Sequence, residues 1–254
     1  MVGTHAQIHI GTSGWSYDHW KGPFYPEHLN NRRMLDYYAQ RLRSVEINSS
    51  FYRLPEQQTL QHWYDSTPQD FRFAVKASRY ITHMKKLGEP RKTLPVLLER
   101  VSALGDKLGP ILFQLPPHWH FNGQRLGEFL ASLSNEFRYA FEFRDHSWIN
   151  EHTCELLSRH DAAFCIYELD GYLSPQALTT DFVYVRLHGP DGAYQGSYDE
   201  PTLTGWAEAF SSWAGNSQSI HCYFDNDQQG YAVQDALRLQ AMFSHTGNDT
   251  VRTR

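Results

Sequence analysis

Eight short apolar or alternating segments recur along the chain with helical or irregular returns between them, and this alternation constrains the fold more than any other feature. The segments are QIHIGTS from Gln7, SVEINS from Ser44, FRFAVKAS from Phe71, PILFQLP from Pro110, RYAFEFR from Arg138, AFCIYEL from Ala163, FVYVRLHG from Phe182 and IHCYFDND from Ile220. Eight such units in 254 residues fit a TIM (β/α)8 barrel. Helical returns show apolar stripes at i, i+3, i+4 and i+7: Leu35, Tyr38, Ala39, Leu42; Leu94, Leu97, Leu98, Val101; Leu126, Phe129, Leu130, Leu133; Leu203, Trp206, Ala207, Phe210. Val233, Ala236, Leu237 and Ala241 predict a last helix. Gly171 and Pro175 leave room for only a short helix between Asp170 and Asp181, so the connection between the sixth and seventh strands is expected to be irregular. No linker, charge block or low-complexity tract divides the chain. One α/β domain over 1–254 is expected, with its core at about 8–243 and a flexible tail at 244–254. A doubly wound open sheet is the alternative, but it leaves two edge strands, and none is visibly protected by charge or Pro.

In a barrel one face of each strand lines the interior, and active sites sit at the C-terminal strand ends. Polar residues collect there. Glu46 and Asn48 alternate with Val45 and Ile47, Lys76 and Ser78 with Phe73 and Val75, and Arg186 and His188 with Val185 and Leu187. Gln114 ends the fourth segment, Glu142 and Arg144 the fifth, and Asp225, Asn226 and Asp227 the eighth. Burying such groups costs several kcal/mol each unless they pair. One reading is a salt-bridge network that plugs the barrel. The other is a ligand site, in which Arg144 and Arg186 hold an anion, helped by Asn48, Gln114, Asn226 and Asp227, beside acid–base chemistry by Glu46, Lys76, Glu142 and His188.

Weaker motifs surround this set. GTSGWS, Gly11 to Ser16, lacks the GK[ST] ending of a phosphate loop and reads as a tight loop after the first strand. Trp15, Tyr17 and Trp20 either wall a substrate or cap the barrel. His118 and His120 in LPPHWH stand two apart, with no stronger metal pattern around them. RYITHMKKLGEPRK, residues 79–92, is a basic loop at the catalytic end: solvated by default, a contact for nucleic acid as the less favoured option.

Composition excludes some classes. A formal charge of −5 argues against a protein that coats nucleic acid through a global basic field. Three cysteines, Cys154, Cys165 and Cys222, without a CxxC pair suggest neither a disulfide framework nor a zinc ribbon, and point to a reducing cytoplasm. MVGTHAQIHIG lacks a basic region followed by an apolar stretch, and no run approaches the roughly 20 apolar residues of a span, so no membrane contact is expected. Nothing in the pattern specifies an oligomeric state.

Seven ordered stretches, GTSGWSYDHWKGPFYP, VEINSSFYRLP, FRFAVKASRYITHMKKL, LGPILFQLPP, AFEFRDHSW, YVRLHG and FDNDQQGYAVQDAL, resemble the successive signatures of the YecE-like family, a domain of unknown function (DUF 72). The resemblance runs from about Ile8 to Leu239 and implies a TIM barrel whose polar positions fall on Glu46, Asn48, Lys76, Gln114, Glu142, Arg144, Arg186 and His188. FDND here stands where relatives more often have FNND, which moves Asp225 from acid–base chemistry to binding. Ser50 stands where relatives often carry Thr. Three functions remain in competition: an enzyme acting on a small anionic metabolite such as a sugar phosphate, a phosphodiester or nucleic-acid processing protein similar to xylose isomerase-like and apurinic endonuclease barrels, and a non-catalytic anion-binding sensor module. The second relies on a cluster of His, Asp and Glu metal ligands, whereas these strand ends are richer in Arg, Lys and Asn. A divalent metal is therefore disfavoured, and no cofactor is expected. Glycoside hydrolysis is a minor option, requiring two carboxylates about 5–9.5 Å apart.

Overall fold

The computed structural model describes residues 6–244. The tail expected at 244–254 lies, apart from the backbone of Ser244, outside the described residues. Eight strands run parallel: β1 (Gln7–Ser13), β2 (Ser44–Ile47), β3 (Arg72–Lys76), β4 (Leu108–Leu115), β5 (Tyr139–Phe143), β6 (Ala162–Leu169), β8 (Phe182–Leu187) and β9 (Ser219–Phe224). Their order is β5-β4-β3-β2-β1-β9-β8-β6, and direct pairing of β5 with β6 joins the two ends. Closure leaves no edge in this ring, which rules out the open doubly wound sheet. Helices α1 (Met34–Ala39), α2 (Gln57–Asp65), α3 (Pro90–Val101), α4 (Gly123–Leu130), α5 (Glu151–Arg159), α6 (Glu200–Trp213) and α7 (Tyr231–Ser244) flank it. The arrangement is a TIM barrel.

The legible stripes became α1, α3, α4, α6 and α7. α2 fully buries only Leu60, and α5 only Thr153 and Leu157, with Trp63, Cys154 and Leu156 partly buried beside them, so their apolar faces are short. No short helix forms over 170–181. Gly171, at φ +74°, turns the chain back into a two-residue strand, β7 (Tyr172–Leu173), antiparallel to β6. Thr179 then lies against the start of β6, accepting from the Phe164 N–H and donating to the Ala162 carbonyl, before β8 takes over the pairing at Cys165. Hydroxyls satisfy the backbone where a helix would have faced it.

Register decides what lines the interior. Ala74, Leu112, Ala140, Ala163, Cys165, Phe182, Tyr184 and Tyr223 form a small apolar cluster inside the ring. Their strand neighbours, among them Phe73, Val75, Phe113, Phe141, Val185 and Cys222, join the helices in the main core. Two residues further along the same faces stand Lys76, Gln114, Glu142, Arg186 and Asp225, and two residues back stand Arg72, Arg138 and His221. The barrel is therefore apolar at its waist and polar at both ends. β1 and β2 also approach so closely that a Cβ at Gly11 would sit 2.0 Å from the Ser44 carbonyl oxygen, leaving glycine as the residue that fits.

Candidate functional site

Arg186 occupies the centre of the C-terminal end with its side chain 0% exposed. Its Nη2 donates to Glu46 Oε1 at 2.8 Å and Asp225 Oδ2 at 2.9 Å, and its Nη1 to Glu142 Oε2 at 2.9 Å. Glu46 also accepts from the Ser13 hydroxyl at 2.6 Å and the Tyr184 phenol at 2.7 Å. Glu142 takes a second charged bond from Arg144 Nε. Burial alone would push the Glu142 carboxyl up, but Arg144 and Arg186 outweigh it and hold the group below the usual carboxylate range. Three carboxylates thus face three cations, Arg186, Arg144 and Lys76. The cluster sums to zero charge, as buried ions must to be tolerated.

His188 completes it as a neutral ring. Its Nε2 accepts from Arg144 Nη2 at 2.9 Å and Arg186 Nη1 at 3.3 Å, which leaves the ring proton on Nδ1, 3.1 Å from Asp225 Oδ2 but without hydrogen-bond alignment to it. Burial, then Arg186 and Arg144, hold it well below 6.5. The ring is wholly buried under an edge-on Tyr194, with centroids 5.4 Å apart. The acid–base roles expected of Glu46, Glu142 and His188 meet a common obstacle: all three are buried and committed to arginines. They fit positioning roles. The same commitment removes Arg186 from the anion-holding role expected of it, since its terminal nitrogens are spent on carboxylates. It also weakens the glycosidase option, because neither glutamate is free to cycle a proton.

Lys76 is different. It is buried but for 7%, its ammonium lies 4.5 Å from the centre of the Phe51 ring, and among the described residues that ammonium makes no ion pair and no hydrogen bond. Burial, helped by Arg186 and opposed by Glu46, Glu142 and Asp225, pulls it down to about 8. The Ser50 hydroxyl donates to the Lys76 carbonyl at 2.6 Å and the Ile47 carbonyl at 2.7 Å, tying the β2 and β3 ends together. Titration of the Lys76 ε-methylene by NMR, assigned with Lys76→Met, is expected to give a midpoint near 8, and one near 10.5 would refute the perturbed environment. Between those values the unfolded state binds more protons, so this group's contribution to stability rises with pH across that window.

The remaining expected residues divide into four groups. Arg144 has Nε on Glu142, Nη2 on His188 and its guanidinium 5.0 Å from the Tyr167 ring centre, and its Nη1 has no partner among the described residues. Trp15, Tyr17 and Asn48 line a cavity of about 320 Å³ with Tyr52 and Trp63, next to the charged cluster. The buried Asn48 Oδ1 has no partner among the described residues. The Tyr17 hydroxyl donates to the Ser13 carbonyl, and its phenol is pushed up by burial and then by Asp225, Asp227 and Glu46, which places it between the cavity and the carboxylates. Gln114 stands half-buried beside Glu142 in register. Asn226 and Asp227, in contrast, turn away. Asn226 donates to the Gly196 carbonyl and Asp235, and Asp227 accepts from Trp20 and faces His19. Both fasten loops, because alternation stops at the strand end.

The weaker motifs resolve as well. The Gly14 N–H donates to the Glu46 carbonyl at 2.8 Å, so GTSGWS does not present it to a phosphate. Trp148 is buried and stacked on Phe143. His120 faces Asp145 at 3.4 Å, and in the basic loop Lys85 and Lys92 both pair with Glu89. Among the described residues no three His, Cys, Asp or Glu side chains are arranged to share a metal ion, and at the mouth the Arg186 guanidinium fills the position between the carboxylates. No helix among the described residues is long and apolar enough to cross a membrane. Ser13 and Tyr184 went unremarked in the sequence although both sit at interior positions. Asp235 lay hidden on α7.

Comparison with known proteins agrees with this architecture. A family profile described as "Protein of unknown function DUF72" matches residues 9–254. UPF0759 protein YecE of Escherichia coli K12 is 32% identical over 141 residues, 54% of this chain and 48% of that protein, so the match spans about half of that relative's length. UPF0759 protein YunF of Bacillus subtilis is 24% identical over 265 residues, covering 91% of this chain and 93% of its own. A crystal structure of a DUF72 family protein from Thermotoga maritima superposes with a TM-score of 0.84 at 29% identity, covering 94% of this chain and 99% of that one. With a family match across nearly its whole length and the family's barrel underneath it, this chain belongs to the DUF72 family.

Proposed function

We propose that this protein is an enzyme that moves a proton on a small, singly charged molecule bearing a carboxylate, bound at the C-terminal mouth of the barrel. The observation that carries the reading is Lys76: a desolvated amine pulled toward neutrality, its ammonium without a bonded partner among the described residues, beside carboxylates that are all committed to arginines. In its amine form Lys76 takes a proton from the substrate and becomes an ammonium, which the fixed carboxylates of Glu46, Glu142 and Asp225 stabilise; the proton then returns to product or solvent. Arg144 Nη1 supplies the anion contact. With Lys76 as its amine the cluster carries one net negative charge, which favours a monoanion over a phosphate dianion and narrows the sugar phosphates expected from sequence. The aromatic cavity takes the ligand's body, with Asn48 Oδ1 offered to a donor on it.

A thermal-shift screen of small carboxylates, phosphomonoesters, sugars and nucleotides tests the binding half, because a ligand of the native state raises apparent stability by mass action. A small carboxylate is expected to shift the parent. In D2O the bound compound is expected to exchange a carbon-bound proton for deuterium, and Lys76→Met to abolish that exchange. A parent shifted by no carboxylate sinks the reading. A carboxylate that binds without exchange leaves a sensor module instead.

A further inference from the structure

The N-terminal end of the barrel, remote from the mouth, holds a cavity of about 720 Å³ whose walls include His9, Arg72, Arg138, Gln218, Ser219 and His221. Barrel interiors are ordinarily filled by branched apolar side chains, so a polar chamber here needs a reason. His9 and His221 are register partners on β1 and β9, and their rings stack with centroids 4.7 Å apart and planes 23° from parallel. His221 is 3% exposed, its Nε2 is 3.1 Å from the Ser219 hydroxyl, and its Nδ1 is buried with no partner among the described residues. Native proteins rarely leave such an atom unpaired without a ligand, a water or a function to account for it.

The two arginines are held ready. Arg138 donates through Nη2 to Gln218 at 2.9 Å and lies 5.2 Å from the Phe182 ring centre, while its contact to the half-exposed Asp181 is a long 3.4 Å. Arg72 donates through Nη1 to the backbone carbonyls of Phe71 and Gln69, and its Nε and Nη2 make no hydrogen bond among the described residues. Both guanidiniums act electrostatically on His221, and Arg72 acts on His9 with Asp70 opposing it, while Asp181 lines the same cavity beside Arg138. We propose that this chamber is a second ligand site, binding a small phosphomonoester with its phosphate between Arg72 and Arg138 and the His9–His221 pair as further hydrogen-bonding groups. A phosphate offers three oxygens to several converging donors, and guanidinium forks match that geometry. The cavity exceeds a bare phosphate, which points to an ester rather than the inorganic ion.

The full-length protein titrated with inorganic phosphate and, separately, with ribose 5-phosphate, at matched ionic strength, tests this by calorimetry and by NMR of the imidazole C–H groups. The His9 and His221 signals are expected to shift, with the ester binding more tightly than phosphate. Arg72→Gln and Arg138→Gln are each expected to weaken binding about tenfold or more, the loss of one charge-assisted contact. His9→Phe keeps a ring in the stack and is expected to stay folded while weakening binding. Lys76→Met, at the other end, is expected to leave it unchanged. Unshifted histidines, an ester that binds no better than phosphate, or full affinity in Arg138→Gln would each overturn the proposal. Loss of binding in Lys76→Met with retention in Arg72→Gln would place the anion at the mouth and overturn it too, without touching the reading of Lys76.

Discussion

Arg186→Met is expected to destabilise the chain by about 3–5 kcal/mol at neutral pH, the loss typical of removing one partner from a buried ionic cluster. Met roughly matches the volume of the side chain but leaves Glu46 without a charged partner and Glu142 with Arg144 alone. The pH dependence separates this from a simple packing defect. In the parent, the depressed Glu142 group contributes stability that is present above the ordinary carboxylate range and lost as pH falls through its folded value. In the variant, burial without the guanidinium raises the folded values of the carboxylates instead, so their penalty is largest at neutral pH and shrinks as they protonate. Urea denaturation of both proteins at pH 7.5 and pH 5.5 is expected to show the gap narrowing at the lower pH. Glu46→Gln in the Arg186→Met background is expected to recover part of the loss. A gap that is constant with pH would mean that the cluster does not behave as a charge network.

How much of this was legible in the sequence depends on which physical rule applied. The two-residue period identified the interior positions, and Glu46, Lys76, Glu142, Arg144, Arg186, His188 and Asp225 do meet at one end of the barrel. Period alone says which face a side chain takes. It does not say which cation takes which carboxylate, and that pairing assigns the roles. Arg144 and Arg186 read alike in the sequence, yet one is sealed among three carboxylates and the other has an Nη1 without a partner among the described residues. Asn226 and Asp227 lie past the last residue of β9, where the strand's alternation no longer sets direction. Ser13 and Tyr184 stood at legible interior positions and were passed over for lack of charge. α2 and α5 present short apolar faces, Leu60 with Trp63 and Cys154 with Leu157, too brief to stand out as an i, i+3, i+4, i+7 stripe. β-strand closure was an inference from the count of eight, and the β5–β6 pairing is what makes the barrel real.

Asp235→Ala is expected to cost about 3 kcal/mol, because it strips an acceptor from several donors at once and leaves buried N–H groups unpaired. Asp235 is wholly buried on α7 and accepts from the Ser197 hydroxyl at 2.8 Å, the Tyr198 N–H at 3.0 Å, Asn226 Nδ2 at 2.7 Å and Arg238 Nη2 at 2.5 Å. Through Tyr198, whose phenol oxygen accepts from the Gly189 N–H at 2.9 Å, it fastens both ends of the loop between β8 and α6. That loop sits tightly: a Cβ on Gly189, at φ +110°, would fall 2.1 Å from the Gln195 carbonyl oxygen. It also carries Tyr194, the ring that covers His188. The consequence of the substitution should therefore be local before it is global. Amide hydrogen exchange at Gly189, Tyr194 and Tyr198 is expected to accelerate more than exchange in β9. Asp235→Asn, which keeps one oxygen acceptor but sets its amide donors against Asn226 Nδ2, is expected to fall between the parent and Asp235→Ala. Uniform acceleration across loop and barrel would make Asp235 a general support of the fold. Acceleration confined to the loop would make it a positioning residue for the mouth, acting through the cover over His188.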